Sequence, residues 1–424
     1  MCGYGGGTTR TAHKKKAKVT EMEEKNIRNI PFSPPDITER EIAEVVAALR
    51  SGWITTGERT KRFEARLAEY MGRPRVACLN SQTAAAELTL RLLGIGEGDE
   101  VIVPAYTYTA TAEVVAHVGA KIVMLDCAPD SFEFDYDALP AAINERTKAI
   151  IPVDLGGKLC DYRRIYAALE CKRSLYRPRG ELQALWDRPI VIADSAHGLG
   201  ASRGGRMSGG FADFTTFSFH AVKCLTTGEG GAVTWLDREG LDNDEIYRRF
   251  MLLSLHGQSK DALHKTGLGN WEYDVIYTGY KCNMTDIQAA IGLAQLERYE
   301  ALLARRGEII RRYDEVLHPM GIKTLEHFEP NARTSRHLYL ARVPGMSDGE
   351  RRRVIDKMAE RGVACNVHYK PLPMLTAYKK LGFDISDYPR ALAQYENEIT
   401  LPLHTRLSDD DVEYILGVFT DALR

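Results

Sequence analysis

The sequence predicts an α/β fold, with a mostly parallel central sheet covered by helices and a smaller C-terminal α+β domain. Three observations carry this reading. Strand patterns alternate with helical ones from Val76 to Val233, the rhythm of parallel strands joined by helical crossovers. Ile190-Val191-Ile192-Ala193 is an unbroken apolar run, as expected of a strand covered on both faces. From Ile287 towards Leu317 a sustained helical pattern sets off a shorter, mixed C-terminal stretch. The expected divisions are 1–28 for a disordered tail, 29–285 for a large domain, and 286–424 for a linking helix with a small domain.

Taken in order, the first 25 residues are rich in Gly, Thr and Lys and lack an apolar core, so they do not read as a signal peptide. Their Lys14-Lys15-Lys16 run reads as solvated. Thr38 and Glu41 have capping-box spacing and start an amphipathic helix through Leu49. Ser51 to Gly57 breaks it, pairing a tryptophan with two threonines and two glycines, a composition that suits a binding loop and a plain turn equally. A second helix, from Thr60 to about Tyr70, leads to the strand Val76–Leu79. Asn80 to Ala86 then places small and hydroxyl residues at a helix start, which is either an anion site or an ordinary cap made by Ser81 or Thr83.

The strand Glu100 to Val103 runs into Pro104 to Thr111, where a tyrosine can lie flat on a planar ligand or pack in the core, and a helix continues through Ala116. Further strands are expected at Lys121 to Leu125, Lys148 to Val153, Phe214 to Ser218 and Gly231 to Leu236. Cys171 to Arg188, with its basic residues, Pro178 and Gly180, reads as a surface insertion. Tyr277 to Asp286 leads into the long helix. The small domain should hold strands at His337 to Val343 and Ile399 to Leu401, with helices at Asp348 to Arg361 and Ser408 to Leu423. Between them, His368, Tyr369 and Lys370 sit on a proline-stiffened loop and offer more polar chemistry than a core needs.

Composition narrows the function classes. The 424 residues are 44% hydrophobic and 27% charged, with a formal net charge of −2, which fits a soluble globular chain of two or three domains. That balance carries no basic footprint for nucleic acid, and the apolar stretches fall far short of a membrane span. Eight cysteines are scattered without a C-x-x-C pair, which argues against structural zinc or a disulfide framework and for the reducing cytoplasm.

Two motifs carry chemistry. Ser218-Phe219-His220-Ala221-Val222-Lys223 leaves an aromatic strand and enters a turn-rich stretch of threonines and glycines, whose hydroxyls and N–H groups could cradle a phosphate. A lone loop lysine is usually solvated and idle. Upstream, however, Ile190 to Asp194 delivers an acid at the carboxyl end of a buried strand, where open α/β sheets bind ligands. Pyridoxal 5′-phosphate (PLP) needs this pair: a lysine to form an imine with its aldehyde and a carboxylate to keep its ring nitrogen protonated.

Asn80 to Ala85, Pro104 to Thr111, Asp194 to His197, Ser218 to Lys223 and Gly279 to Ala290 resemble, in that order, the motifs of the DegT/DnrJ/StrS family of sugar-nucleotide aminotransferases. The resemblance runs from about Pro31 to the C-terminus. It implies an aspartate-aminotransferase-like PLP fold and a homodimer with active sites shared between subunits. It also implies amino transfer, with glutamate the expected donor, to the keto sugar of a nucleotide-diphosphate sugar. By resemblance, Lys223 carries the cofactor, Asp194 pairs with the ring nitrogen and His197 lies near the phenolic oxygen. Tyr108 stacks on the ring, while Thr83, Ala84 and Ser218 contact the phosphate. Lys281 supplies a cation to the neighbouring subunit's cofactor, and Thr56, Asn283, His368, Tyr369 and Lys370 are candidate substrate residues. The chain departs from the family at Lys281 and Asn283, where many members carry Asn and Arg, and lysine cannot supply arginine's bidentate fork. Sugar dehydratases of the family carry histidine in place of this lysine, so Lys223 argues for amino transfer. Two alternatives stand beside this reading: a PLP-dependent lyase or aldolase of the same fold, which would also show the lysine–aspartate pair, and a non-catalytic PLP-binding regulator, against which the short tail shows no helix-turn-helix pattern.

Overall fold

The computed structural model describes residues 27–259 and 272–424. The expected tail lies outside the described residues apart from its last two, Ile27 and Arg28.

Thr38 caps the first helix, α1 (Glu39–Arg50), and the Glu41 carboxylate returns to accept the Thr38 N–H at 2.7 Å, the capping box that the spacing predicts. α2 (Glu58–Met71) buries Phe63, Leu67 and Met71 and ends on Gly72, whose φ of 62° is the left-handed stop that glycine adopts without strain. Then come β1 (Val76–Leu79), α3 (Gln82–Leu92), β2 (Glu100–Pro104), α4 (Ala110–His117), β3 (Lys121–Leu125), β4 (Thr147–Ile150) and α5 (Tyr162–Cys171). β5 (Ile190–Asp194), β6 (Phe214–Ser218), β7 (Gly231–Trp235) and α6 (Asn243–Ser254) complete this part.

All seven strands form one sheet in the order β1-β7-β6-β5-β4-β2-β3. Neighbours from β6 through β3 are parallel, whereas β7 is antiparallel to both β6 and β1. The reason is local. No helix occupies 219–230, and a parallel return would need such a crossover. Both faces are buried: Val101, Val103, Ile190 and Ile192 pack into one core, and Ile102, Ile150, Val191 and Ala193 into the other. Each such valine or isoleucine side chain contributes roughly 1.5–3 kcal/mol when removed from water.

Two expectations are corrected here. Residues 171–188 are not merely a surface insertion, because Tyr176, Gln183 and Trp186 are buried. Gln183 donates to the Leu93 carbonyl and the Trp186 indole to Asp213, both at 2.8 Å, so the segment is packed against the sheet layer, with Arg188 turned in to pair with Asp213 and Arg173, Arg177 and Arg179 exposed. The long linking helix is two helices, α7 (Asp286–Glu297) and α8 (Tyr299–Leu317), broken at Arg298 with φ −111°. At the break the Arg298 guanidinium donates to Asp36 and Glu41, and the Tyr299 hydroxyl donates to the Leu199 carbonyl at 2.8 Å.

Beyond α8 come β8 (Tyr339–Arg342), α9 (Asp348–Glu360), α10 (Pro389–Glu396), β9 (Glu398–Leu401) and α11 (Asp409–Ala422). β8 pairs antiparallel with β9 and with the short strand Lys323–Thr324, and a core of Ile310, Tyr313, Tyr339, Met358, Ile399 and Phe419 joins them to the helices. Among the described residues no helix is long and apolar enough to cross a membrane, and no cluster of His, Cys, Asp and Glu could hold a metal ion.

Candidate active site

The carboxyl ends of β1, β2, β5 and β6 converge on a cavity of about 440 Å³. Its assembly depends on Gly231, the first residue of β7. A methyl group there would fall inside the backbone of Ser81 and Gln82, so only glycine lets the start of α3 lie against the strand that follows the lysine loop. Gln82 adds a 3.0 Å bond to Thr216 of β6.

Lys223 lines this cavity, and among the described residues its amine has neither an ion pair nor a hydrogen bond. Burial draws that amine down to about 8, with Asp194 acting against the drop. The loop is held by its own backbone, with Lys223 N–H on the His220 carbonyl at 2.9 Å, and by the Ser33 hydroxyl, which donates to the Val222 carbonyl at 3.1 Å. Thr226 and Thr227 do not face the cavity as the composition of the loop suggests: both are buried and donate to the Phe219 and Glu229 carbonyls, folding the turn itself.

Asp194 is the last residue of β5 and is buried. Thr111, in the first turn of α4, donates its hydroxyl to Oδ2 at 2.7 Å, and the Ala196 N–H donates to Oδ1 at 3.2 Å. Burial pushes this carboxyl up, and the two bonds together with Lys223 oppose the rise. His197 closes the turn after β5. Its Nδ1 accepts the Gly156 N–H at 3.2 Å, so the proton of the neutral ring sits on Nε2, 3.2 Å from the Tyr369 hydroxyl. Burial, Lys223 and His368 hold His197 far below its ordinary range, so the ring stays neutral.

Thr83, Tyr108, Ser218, His368 and Tyr369 also line the cavity. Thr83 has no side-chain hydrogen bond among the described residues, because Ser81 makes the cap by accepting the Ala84 N–H at 3.1 Å. Tyr108 is 58% exposed, and its ring centroid lies 5.8 Å from that of Tyr369. Ala84, Lys281, Asn283, Thr56 and Lys370 do not line this chain's own cavity. Lys281 donates to Asn283, Asn283 to the Thr56 hydroxyl at 2.6 Å, and Thr56 to the Met284 carbonyl at 2.6 Å, so these three form a separate polar cluster. Sequence reasoning missed Thr111, although it quoted the motif that contains it, and missed Glu229 and Gly230 on the cavity wall. It also missed Thr400 and Glu398 behind His368, residues 30 or more positions away that no spacing rule connects.

Such a sheet, with a lysine and a strand-end carboxylate on one cavity, defines a PLP enzyme of the aspartate-aminotransferase-like fold. The chain belongs to the DegT/DnrJ/EryC1/StrS aminotransferase family, whose model matches residues 35–420. It is similar to Spr1654 of Streptococcus pneumoniae, assigned as a sugar aminotransferase and solved in PMP, apo and PLP forms. For the PMP form the TM-score is 0.91 and the identity 55%, over 93% of this chain and 99% of that one. It is 35% identical over 407 residues to the spore coat polysaccharide biosynthesis protein SpsC of Bacillus subtilis, covering 95% of this chain and 99% of that protein. The uncharacterised protein MJ1066 of Methanocaldococcus jannaschii is 38% identical over 389 residues, covering 90% and 95% respectively.

Aminotransferases of this family use PLP. The residues present fit that group: an unpaired amine on the cavity wall, a buried carboxylate, and at the α3 start a threonine hydroxyl without a side-chain partner beside Ser218.

Proposed function

We propose that this sugar aminotransferase moves an amino group from glutamate to the keto carbon of a nucleotide-diphosphate sugar, and that it works in the cytoplasm as a homodimer. The observation that carries the reading is the pairing of Lys223 with Asp194 on one cavity. Lys223 would hold the cofactor, Asp194 its ring nitrogen, and Thr83, Ser218 and the α3 N-terminus its phosphate, with Tyr108 beside the ring. When bound, PLP supplies an electron sink that stabilises negative charge on the carbon losing its proton.

The chain's own groups do the rest. An amine held near pH 8 is partly unprotonated at neutral pH, so Lys223 Nζ can take a proton from the donor's carbon and return it to the acceptor's. Asp194, whose charged form the bonds from Thr111 and Ala196 favour against burial, would fix a positive charge opposite it. His197 donates from Nε2 without itself becoming charged. Lys281, Asn283 and Thr56, which lie off this cavity, would serve the partner subunit's site or the diphosphate. The two large solved or curated relatives named for sugar and polysaccharide chemistry support a sugar acceptor. Incubation with glutamate and a panel of UDP-, dTDP- and GDP-keto sugars, read by product mass and 2-oxoglutarate release, tests the proposal. No aminated product from any member would overturn it.

A further inference from the structure

His368 lines the cavity, and one of its ring nitrogens is already committed: Nδ1 lies 2.9 Å from Thr400 Oγ1. That oxygen lies 2.5 Å from Oε1 of Glu398, a buried carboxyl on β9. The other carboxyl oxygen, Oε2, accepts the His368 backbone N–H at 2.9 Å. The ring is fixed further by Phe32, stacked at 5.6 Å, and its carbonyl accepts the Tyr106 hydroxyl at 2.9 Å. Among the described residues, Nε2 has no hydrogen-bond partner. Burial and the charge of Lys223 hold the imidazole down to about 3, so it is neutral and carries a single proton.

The hydroxyl of Thr400 also has one proton, and it stands between two groups that can each give or take. With Glu398 ionised, Thr400 donates to the carboxylate and accepts from Nδ1–H, leaving Nε2 a bare acceptor. With Glu398 protonated on Oε1, the carboxyl donates to Thr400, Thr400 donates to Nδ1, and the imidazole proton moves to Nε2. Building on the sugar aminotransferase reading, we propose that Glu398 and Thr400 are positioning residues that set whether His368 offers the substrate a hydrogen-bond donor or an acceptor. The donor form suits the oxygen of a keto sugar; the acceptor form does not.

The surroundings of Glu398 decide its state. β8 contributes Arg342, directly across from it, but that guanidinium is bound to Asn397 and Asp130 at 3.0 Å each. α9 contributes Arg351, which is engaged by Tyr395 and Asp348. Tyr106, Cys365, His368 and Tyr369 are the other titratable groups facing it, and each is neutral at neutral pH. Among the described residues no cation touches the carboxyl. Burial therefore dominates and pushes it up to about 8, with Thr400, the His368 N–H and the two arginines opposing. Below that pH His368 presents Nε2–H, and above it a bare Nε2.

The test uses holoenzyme labelled with 15N-histidine, in which long-range proton–nitrogen correlations distinguish the two tautomers and His368→Gln identifies the signal. The wild type should change from Nε2–H to Nδ1–H as pH rises through about 8. Glu398→Gln, whose amide must donate towards Thr400, should stay Nε2–H throughout. Thr400→Val should abolish the pH response and Thr400→Ser restore it. With the keto sugar turned over fastest in the panel, wild-type KM should rise about tenfold above pH 8, the loss of one hydrogen bond, and remain flat in Glu398→Gln. A tautomer that does not change between pH 6.5 and 9.5, or that still changes in Thr400→Val, would overturn the relay. The spectroscopic arm needs no substrate. A tautomer switch without any aminated sugar therefore supports the relay and removes the functional reading, whereas amination without the switch does the reverse.

Discussion

The hydroxyl of Thr111 donates to Oδ2 of Asp194 across 2.7 Å, and the Thr107 hydroxyl lies 2.9 Å behind it. A helix that starts after β2 thus supplies a hydrogen bond to an acid that ends β5.

Removing that bond should weaken catalysis more than cofactor binding. Hydrogen bonds to charged groups contribute roughly 1.5–3 kcal/mol, so Thr111→Val should lower kcat by about ten- to a hundredfold. Because Thr111 holds the Asp194 carboxyl down, its loss lets that carboxyl rise, and the acid limb of the kcat/KM profile should move to higher pH. An unshifted limb would separate Thr111 from the chemistry.

The amine of Lys223 should titrate near pH 8 in cofactor-stripped protein, since burial disfavours its charged form. Competitive acetylation mapped by peptide mass would measure this as a midpoint in labelling rate. Asp194→Asn removes the charge that opposes the drop, so the midpoint should fall below 8. Borohydride reduction of the holoenzyme should fix cofactor on Lys223, and Lys223→Ala should abolish turnover. Cofactor fixed on any other lysine would refute the assignment.

Asp194→Asn should cost far more activity than cofactor affinity, because the ring nitrogen loses the charge that keeps it protonated. Turnover and cofactor dissociation measured on the same preparation check this. Near-normal turnover would end the proposed role.

Lys281 is exposed and stands off the cavity of its own chain, so its proposed action is on the partner's site. Lys223→Ala and Lys281→Ala chains should each be inactive, and their mixture should regain up to about a quarter of wild-type activity per site, because each heterodimer keeps one site with both lysines. Failure to recover despite proven chain exchange would place the action of Lys281 within its own chain and count against the shared site.

The break at Arg298 yields a prediction about stability. Glu41 is buried, which works against ionisation, yet bonds from Thr38 and Arg298 bring its carboxyl down to about 2. A carboxyl depressed by folding stabilises above its unfolded value near 4.5, and that contribution is lost as pH falls from there through about 2. Glu41→Gln should therefore destabilise by about 1–3 kcal/mol at pH 7 in denaturant titrations, and the gap from wild type should narrow by pH 3.

The sequence made most strands and helix starts legible because their signals are local. Thr38 and Glu41 announced α1, and the apolar run to Asp194 announced β5. The Lys223–Asp194 pairing was readable for the same reason: both lie at strand ends, and strand ends share an edge. What escaped was set by partners far along the chain. At the break in the helical pattern, the Arg298 guanidinium is held by Asp36 and Glu41, more than 250 residues earlier. Trp186 draws a basic, turn-rich segment inward through Asp213. The buried state of Thr226 and Thr227 follows from the tightness of their own turn, which composition does not report.

The pairing of β7 with β1 joins two segments far apart in the chain. Leu79 pairs with Gly231, so the start of α3 and the end of the lysine loop meet only after roughly 150 residues of intervening chain have been brought around. Every parallel pair between β2 and β6 can form without that closure. Capture of PLP by a refolding chain should therefore follow the most non-local pairing in the sheet, and comparing its rate with that of secondary-structure formation checks this order.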